Sequence, residues 1–410
     1  MPSLLPRVKT ESDFMRVMFV LNCIGAAGAE RHTYQLANAL AAQGDVCTLV
    51  GLTGSYYSSS RTNLTSIRLN GNQIYDIGTA FRLSRLIRVH SPDIIAAIDE
   101  RPLLFAYVAR RLAGSHAKLV SILHNPEVKS ARERLLHPIN RHVVAGVDAM
   151  IYVAQTQRKL WEDQGYSPPI STVIRNGVDL RRYSPEPVAE WRNQIRSKLG
   201  LGPGDYVIGL CAWFRPQKNH CQLVDAIRIL RSRGYPAKAL FVGTGPTQAA
   251  VEQYAKAHGI LEHIIFAGHQ EDVRPYTSAF DVGVLCSIYE AASLVALEMM
   301  AMGLPVVLSD VGNAAETLLP GKTGFIFPPR DTMSLVGFLQ TLSDPLEREA
   351  MGRAAAQFVA ANFSADHMLD SYKNFLTRLL TESRRCDQTQ DAAAARVGTH
   401  EQSSPHGHSS

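Results

Sequence analysis

The apolar runs Val282-Gly283-Val284-Leu285-Cys286 and Pro305-Val306-Val307-Leu308 are each short and unbroken by polar residues, as strands buried on both faces are. Between them lie a loop and one helix length of sequence, so the order is strand, loop, helix, strand. That order belongs to a parallel sheet of an α/β fold. It also fixes where chemistry is to be sought, because the loop and the helix N-terminus fall at the carboxyl edge of the strands, where open α/β sheets bind ligands.

Glu290 falls in this loop, and Glu298 is expected about two turns down the helix, some 12 Å away at 1.5 Å per residue. Such a separation suits a ligand with hydroxyl groups at both ends. Between the carboxylates, the amides of Ala291, Ala292, Ser293 and Leu294 are expected at the helix start, where unpaired N–H groups and the macrodipole attract an anion. Carboxylate, anion site and carboxylate in series describe a sugar, a diphosphate and a ribose.

Glu290, seven residues, Glu298, followed by Ala301-x-Gly303-x-Pro305-Val306-Val307, resembles the signature of glycosyltransferase family 4. The resemblance implies the GT-B fold, two Rossmann-like domains with parallel sheets facing each other across a cleft, and a retaining mechanism. It implies that Glu290 touches the donor sugar and Glu298 the ribose. Ala292 and Met299 depart from the aromatic and small residues usual at those places, but leave both carboxylates standing.

A chain of 410 residues, 46% hydrophobic and 19% charged, buries substantial cores and is long enough for two domains or three. A net charge of +5 is too small to point to a nucleic-acid partner. The six cysteines, Cys23, Cys47, Cys211, Cys221, Cys286 and Cys386, are scattered without a Cys-x-x-Cys pair, which fits a reduced compartment. No apolar run reaches membrane-spanning length. Arg16 and the apolar stretch 17–29 imitate a signal peptide, but the stretch begins late and follows Glu11 and Asp13, so a first core strand and a tight loop explain it better.

From its start, the chain reads as a loose leader over 1–14 and a Rossmann-like domain over 15–180 that holds the acceptor side. Its first strand runs into Gly25-Ala26-Ala27-Gly28-Ala29-Glu30-Arg31, small residues that let backbone amides approach a phosphate or sugar. The spacing is not Gly-x-Gly-x-x-Gly, which argues against a nicotinamide dehydrogenase. The loop resembles the family's N-terminal glycine loop, with Ala27 in place of its first glycine and Gly28 matching. Residues 56–72 read as a polar, loop-rich rim. The strand over 119–123 ends in His124-Asn125-Pro126, and the resemblance puts His124 against the donor sugar beside the acceptor. Residues 129–144 read as an amphipathic helix, broken or kinked near Pro138, whose basic face is either simply solvated or docks on anionic lipid head groups. Asn176-Gly177 reads as a tight turn. Arg175-Asn176-Gly177-Val178-Asp179 also matches the motif closing the family's first domain, which makes Asn176 a donor-side residue.

Residues 181–204 read as the linker, and 205–363 as the Rossmann-like domain for the nucleotide-sugar donor. Arg215 and Lys218 follow its first strand, where two cations are suited to clamp a diphosphate. The family's arginine position is taken by Trp213, so Arg215 is its substitute here and Lys218 the match. Gly268 and His269 resemble the loop that holds the nucleotide base. Residues 364–382 read as a last helix that can cross back to the first domain, and 383–410 as a disordered tail.

The expected function is that of a retaining, metal-independent hexosyltransferase-like enzyme acting in polysaccharide or glycoconjugate synthesis. It takes a nucleotide-diphosphate sugar as substrate and a glycan or lipid-linked acceptor. No cofactor is expected, and no metal, since no Asp-x-Asp triplet occurs. The expected place is the cytoplasm, including the inner face of a membrane. The alternative is a catalytically inactive nucleotide-sugar-binding subunit of a glycan-assembly complex.

Overall fold

A computed structural model of the chain describes residues 14–24, 28–53, 64–71, 76–125, 131–186 and 188–398, with only the backbone for 131–136, 188–189 and 383–398. By compactness the chain forms two units, residues 1–121 with 147–149 and 369–410, and residues 122–146 with 150–368.

The first sheet contains β1 (Arg16–Cys23), β2 (Val46–Thr53), β3 (Leu64–Arg68), β4 (Ile94–Ile98), β5 (Lys118–Leu123), β6 (Ala149–Tyr152) and β7 (Ser171–Val173). Its order is β3-β2-β1-β4-β5-β6-β7, and the β2–β3, β1–β2, β1–β4 and β6–β7 ladders are parallel. The central strands are mostly apolar, and their inner residues are buried, as a sheet covered on both faces requires.

The second sheet contains β8 (Tyr206–Cys211), β9 (Ala237–Val242), β10 (Ile264–Phe266), β11 (Val282–Leu285), β12 (Val306–Ser309) and β13 (Gly324–Phe327). Every ladder is parallel, in the order β10-β9-β8-β11-β12-β13. The strand order reverses at β8, which has β9 on one side and β11 on the other. Loops leaving β8 and β11 therefore open the crevice where such sheets take their ligands.

Four sequence expectations are corrected. Part of the supposed rim is the edge strand β3, whose polar, half-exposed residues hide its pairing with β2. The helix Ala131–Ala145 runs through Pro138 without a break. Within the supposed linker lies the helix Val188–Lys198, anchored by Arg192 and Arg196 on the buried Asp281 at 2.5 and 2.6 Å. The same carboxylate accepts from Val207 N at 2.7 Å, so the helix is tied to the start of β8. The last helix, Ala365–Gly398, covers residues 383–398 of the stretch expected to be disordered, where four consecutive alanines favour helix; residues 399–410 lie outside the described residues. From residue 369 it belongs to the first unit, where Lys373 pairs with the buried Asp45 at 3.1 Å.

Candidate active site

Lys218 closes a single tight helical turn, Pro216–Lys218, in the loop leaving β8. Asn219 follows in the left-handed region, φ 48°, and redirects the chain into the helix His220–Ser232. Asparagine tolerates this conformation better than most residues. Glu290 comes from the loop leaving β11. The two meet: Lys218 Nζ donates to Glu290 Oε1 in an ion pair whose side chains are 23% and 18% exposed.

The carboxylate is held from several sides. Ser287 Oγ donates to Glu290 Oε1 at 2.7 Å, and Ile288 N donates to the carbonyl of Gln217 at 2.7 Å, so the two loops are stitched through backbone as well as charge. Ser309 Oγ, at the end of β12, donates to the Ser287 carbonyl at 2.6 Å. Gly312, at φ +58°, packs so closely beneath the loop that a Cβ there would stand 2.2 Å from the Glu290 carbonyl oxygen. The residue must be glycine both for its backbone conformation and for this approach.

The helix after Glu290 spans Leu294–Ala301, with Ser293 as its N-cap accepting from Ala296 N at 3.4 Å. Ala291 and Ala292 thus precede the helix, and Glu298 lies just over one turn into it rather than two. The cap chemistry of Ser293 sets this start. No hydrogen bond is made by the amides of Ala292, Ser293 and Leu294 among the described residues. Ala291 is buried and its carbonyl accepts from Asn313 N at 3.1 Å. Glu298 is 7% exposed, so neither carboxylate is turned into bulk solvent.

Among the described residues, no hydrogen bond joins Arg215, Gly268 or His269 to the side chains of this pair. Arg215 is exposed and its guanidinium forms no ion pair among the described residues, while Trp213 beside it is 49% exposed. Gly268, at φ +71°, accepts through its carbonyl from Gly243 N at 2.8 Å, and His269 is exposed. Gly28 opens the helix Gly28–Ala42 with open space where a side chain would start; the loop 25–27 before it lies outside the described residues. His124 follows β5, and burial pushes its imidazole down to about 4, so it is neutral at pH 7. Gln157 Nε2 donates to the carbonyls of Leu123 and Asn125, at 3.0 and 2.7 Å, and so fixes the backbone on both sides of His124.

Asn176 is buried, and its Oδ1 has no hydrogen-bond partner among the described residues. Asn176-Gly177 is not the turn that its composition suggests. Gly177 is needed because a Cβ there would meet Ser364 O and Ala365 Cα, both at 2.7 Å, where the chain passes the start of the last helix. The turn comes later, with Asp179 Oδ1 accepting from Arg181 N at 3.0 Å. Ser287, Gly312 and Gln157 escape sequence reasoning. Only Ser287 carries a local signal, a hydroxyl between a buried strand and the loop carboxylate.

The described residues contain no group of three or more His, Cys, Asp or Glu side chains able to hold a metal ion. None of their helices is long and apolar enough to cross a membrane. The cysteines whose side chains are described are all free thiols.

Two family models match the chain, "Glycosyltransferase Family 4" over residues 26–182 and "Glycosyl transferases group 1" over residues 192–358. The sequence is 24% identical over 314 residues to the N-acetyl-alpha-D-glucosaminyl L-malate synthase of Bacillus anthracis, covering 76% of this chain and 81% of that protein. It is 27% identical over 306 residues to the GDP-mannose-dependent alpha-(1-6)-phosphatidylinositol monomannoside mannosyltransferase of Mycobacterium tuberculosis, covering 72% and 78%. Among solved structures, sucrose-phosphate synthase from Thermosynechococcus elongatus superposes with a TM-score of 0.78 at 21% identity, over 90% of this chain and all of that one (100%). The Anabaena protein HepE in complex with UDP and glucose superposes with a TM-score of 0.76 at 19% identity, over 88% and 99%. The two parallel sheets are thus those of the GT-B fold. With family models matched on either side of residues 183–191, and together spanning well over half its length, the chain is a member of glycosyltransferase family 4.

Proposed function

We propose that this glycosyltransferase moves a sugar from a nucleotide-diphosphate donor to a glycan or lipid-linked acceptor, with retention of configuration and without a metal, in polysaccharide or glycoconjugate synthesis. The cytoplasm, and the inner face of a membrane where the acceptor is lipid-linked, is the place such a donor and acceptor meet. The observation that carries this reading is the Lys218–Glu290 pair at the strand-order reversal of the second sheet.

In their ion pair the two charges neutralise each other. A diphosphate entering the crevice competes for Lys218, and the amides of Ala292, Ser293 and Leu294 offer it further donors. Glu290, released from Lys218, accepts from the hydroxyls of the donor sugar, while Glu298 serves the ribose. As the bond from the anomeric carbon to the phosphate oxygen breaks, its electron pair stays on the phosphate. Lys218, with Arg215 able to swing in, stabilises that growing charge more than it stabilises the bound donor. The acceptor oxygen bonds to the anomeric carbon on the face the phosphate leaves, and its proton passes to the phosphate oxygen. His124, held neutral, and Asn176 with its unsatisfied carbonyl oxygen serve the donor sugar, and Gly268 and His269 the base. The UDP and glucose named with the Anabaena structure, and the mannosyl transfer in the mycobacterial name, support a nucleotide-sugar donor.

Purified protein incubated with a panel of nucleotide sugars tests the reading by release of nucleoside diphosphate and by sugar transfer to added acceptor. Turnover that Glu290→Gln lowers on the order of 10²-fold or more supports it. Donor binding without hydrolysis or transfer leaves instead the non-catalytic binding subunit.

A further inference from the structure

The helices Ile77–His90 and Glu100–Ala113 carry a surface that the transfer chemistry does not use. At 100° per residue, Ile77, Phe81, Arg82, Arg85, Arg88 and Val89 fall within an arc of about 140°, opposite the buried Leu83 and Ile87. On this arc Ile77, Phe81 and Val89 are 74%, 54% and 77% exposed. Single exposed apolar side chains are ordinary, but three on one helical stripe interleaved with arginines are not. Arg88 reaches across to the carbonyls of Leu112 and Ala113, joining the stripe to the exposed Leu112 and Arg111 of the second helix. Neither helix exposes an acidic residue; Arg82 pairs with the N-cap Asp76 at 2.8 Å, while Arg85 and Arg111 are exposed and form no ion pair among the described residues.

We propose that this face docks on an anionic phospholipid bilayer, with Phe81 and Val89 entering the head-group boundary and the arginines meeting lipid phosphates. Apolar side chains flanked by cations are what an interfacial helix needs, since burial supplies adhesion and charge supplies the preference for anionic lipid. Charge also disfavours a second copy of this chain as the occupant, because a two-fold contact would set the arginines against themselves. The proposal does not rest on the transfer reading, because none of these residues belongs to the loops that hold Lys218 and Glu290.

The test floats the full chain at low salt with phosphatidylcholine vesicles, with and without phosphatidylglycerol. The wild type is expected to float with the anionic vesicles and to be released by salt. Phe81→Ser with Val89→Ser should lower the bound fraction at least about tenfold. Arg85→Glu should remove the preference for anionic lipid, and it reads the same surface should the double variant fail to fold. Ile139→Ser, on the helix Ala131–Ala145, should bind as the wild type does. The proposal is overturned if the wild type ignores anionic vesicles, or if Ile139→Ser abolishes binding while the Phe81, Val89 and Arg85 variants retain it. It is equally overturned if sedimentation velocity shows a dimer that Phe81→Ser dissolves and no vesicle binding accompanies it.

Discussion

Lys218 and Glu290 stand 72 positions apart in the chain and share one ion pair, with Ser287 Oγ donating to the same carboxylate oxygen. Neither residue finds its partner along its own loop. They meet because β8 and β11 are neighbours in the sheet.

Removing either end of this pair is expected to cost rate more than fold. Lys218→Met should lower kcat on the order of 10²-fold or more, the scale for deleting one preorganised group that faces transition-state charge. Glu290→Gln keeps the shape and the Ser287 contact, and should lower kcat comparably while the thermal midpoint stays near that of the wild type. Steady-state kinetics with parallel melting curves check both, and a Glu290→Gln enzyme of full activity would remove the carboxylate from the reaction.

Gly312→Ala places a methyl group 2.2 Å from the Glu290 carbonyl oxygen at a backbone φ of +58°. The loop must move, and a displacement of about 1 Å is enough to lower kcat by as much as 10²-fold. Gly337→Ala is the control. It lies inside the helix Thr332–Thr341 with open space around the new methyl group, so it should be neutral or stabilise by about 0.5–1 kcal/mol. Denaturant melts and kinetics on the two variants separate loop displacement from a general glycine effect.

Asp281 receives Arg192, Arg196 and the Val207 amide, with Arg348 at 3.9 Å. Asp281→Ala leaves Arg196, whose side chain is 10% exposed, buried without its counter-charge. A loss of about 3–5 kcal/mol in unfolding free energy is expected, measurable by urea titration.

The ring of His220 stacks on Phe214, centroids 3.9 Å apart, and burial pushes its imidazole down from 6.5 to about 3, with Lys218 adding to the effect. His124 is pushed down to about 4 by burial. The unfolded chain takes up these protons near pH 6.5, the folded protein only near 3–4. Their contribution to stability is therefore complete above about pH 6.5 and declines as the pH falls toward about 4. His220→Phe should flatten that decline. Thermal midpoints measured from pH 7 to pH 4 check it, and an unchanged slope would mean that His220 is not held neutral.

How much of this was legible follows from range. The strand, loop, helix, strand order around Glu290 is written in adjacent residues, and β11, the helix Leu294–Ala301 and β12 stand where apolar pattern places them. The strand β3 escaped because an edge strand needs only one apolar residue facing inward, here Leu64. The helix Val188–Lys198 escaped because proline and glycine around it read as connection, while its anchor, Asp281, lies 85 positions beyond Arg196. At Asn176-Gly177 the composition was right for a turn, but the glycine serves the approach of residues 364 and 365. Pairing across such distances has no local signature.

The support of Ser287 by Ser309, and of the Glu290 backbone by Gly312, has a consequence for biosynthesis. While the ribosome is still making residue 280, β8 and β9 are already present and Lys218 has been translated, yet it has no acidic partner. Only after residue 312 has left the exit tunnel can the charged couple assemble against a finished backing. A chain that stops before residue 309 therefore lacks both the hydroxyl and the glycine that hold the Glu290 loop in place.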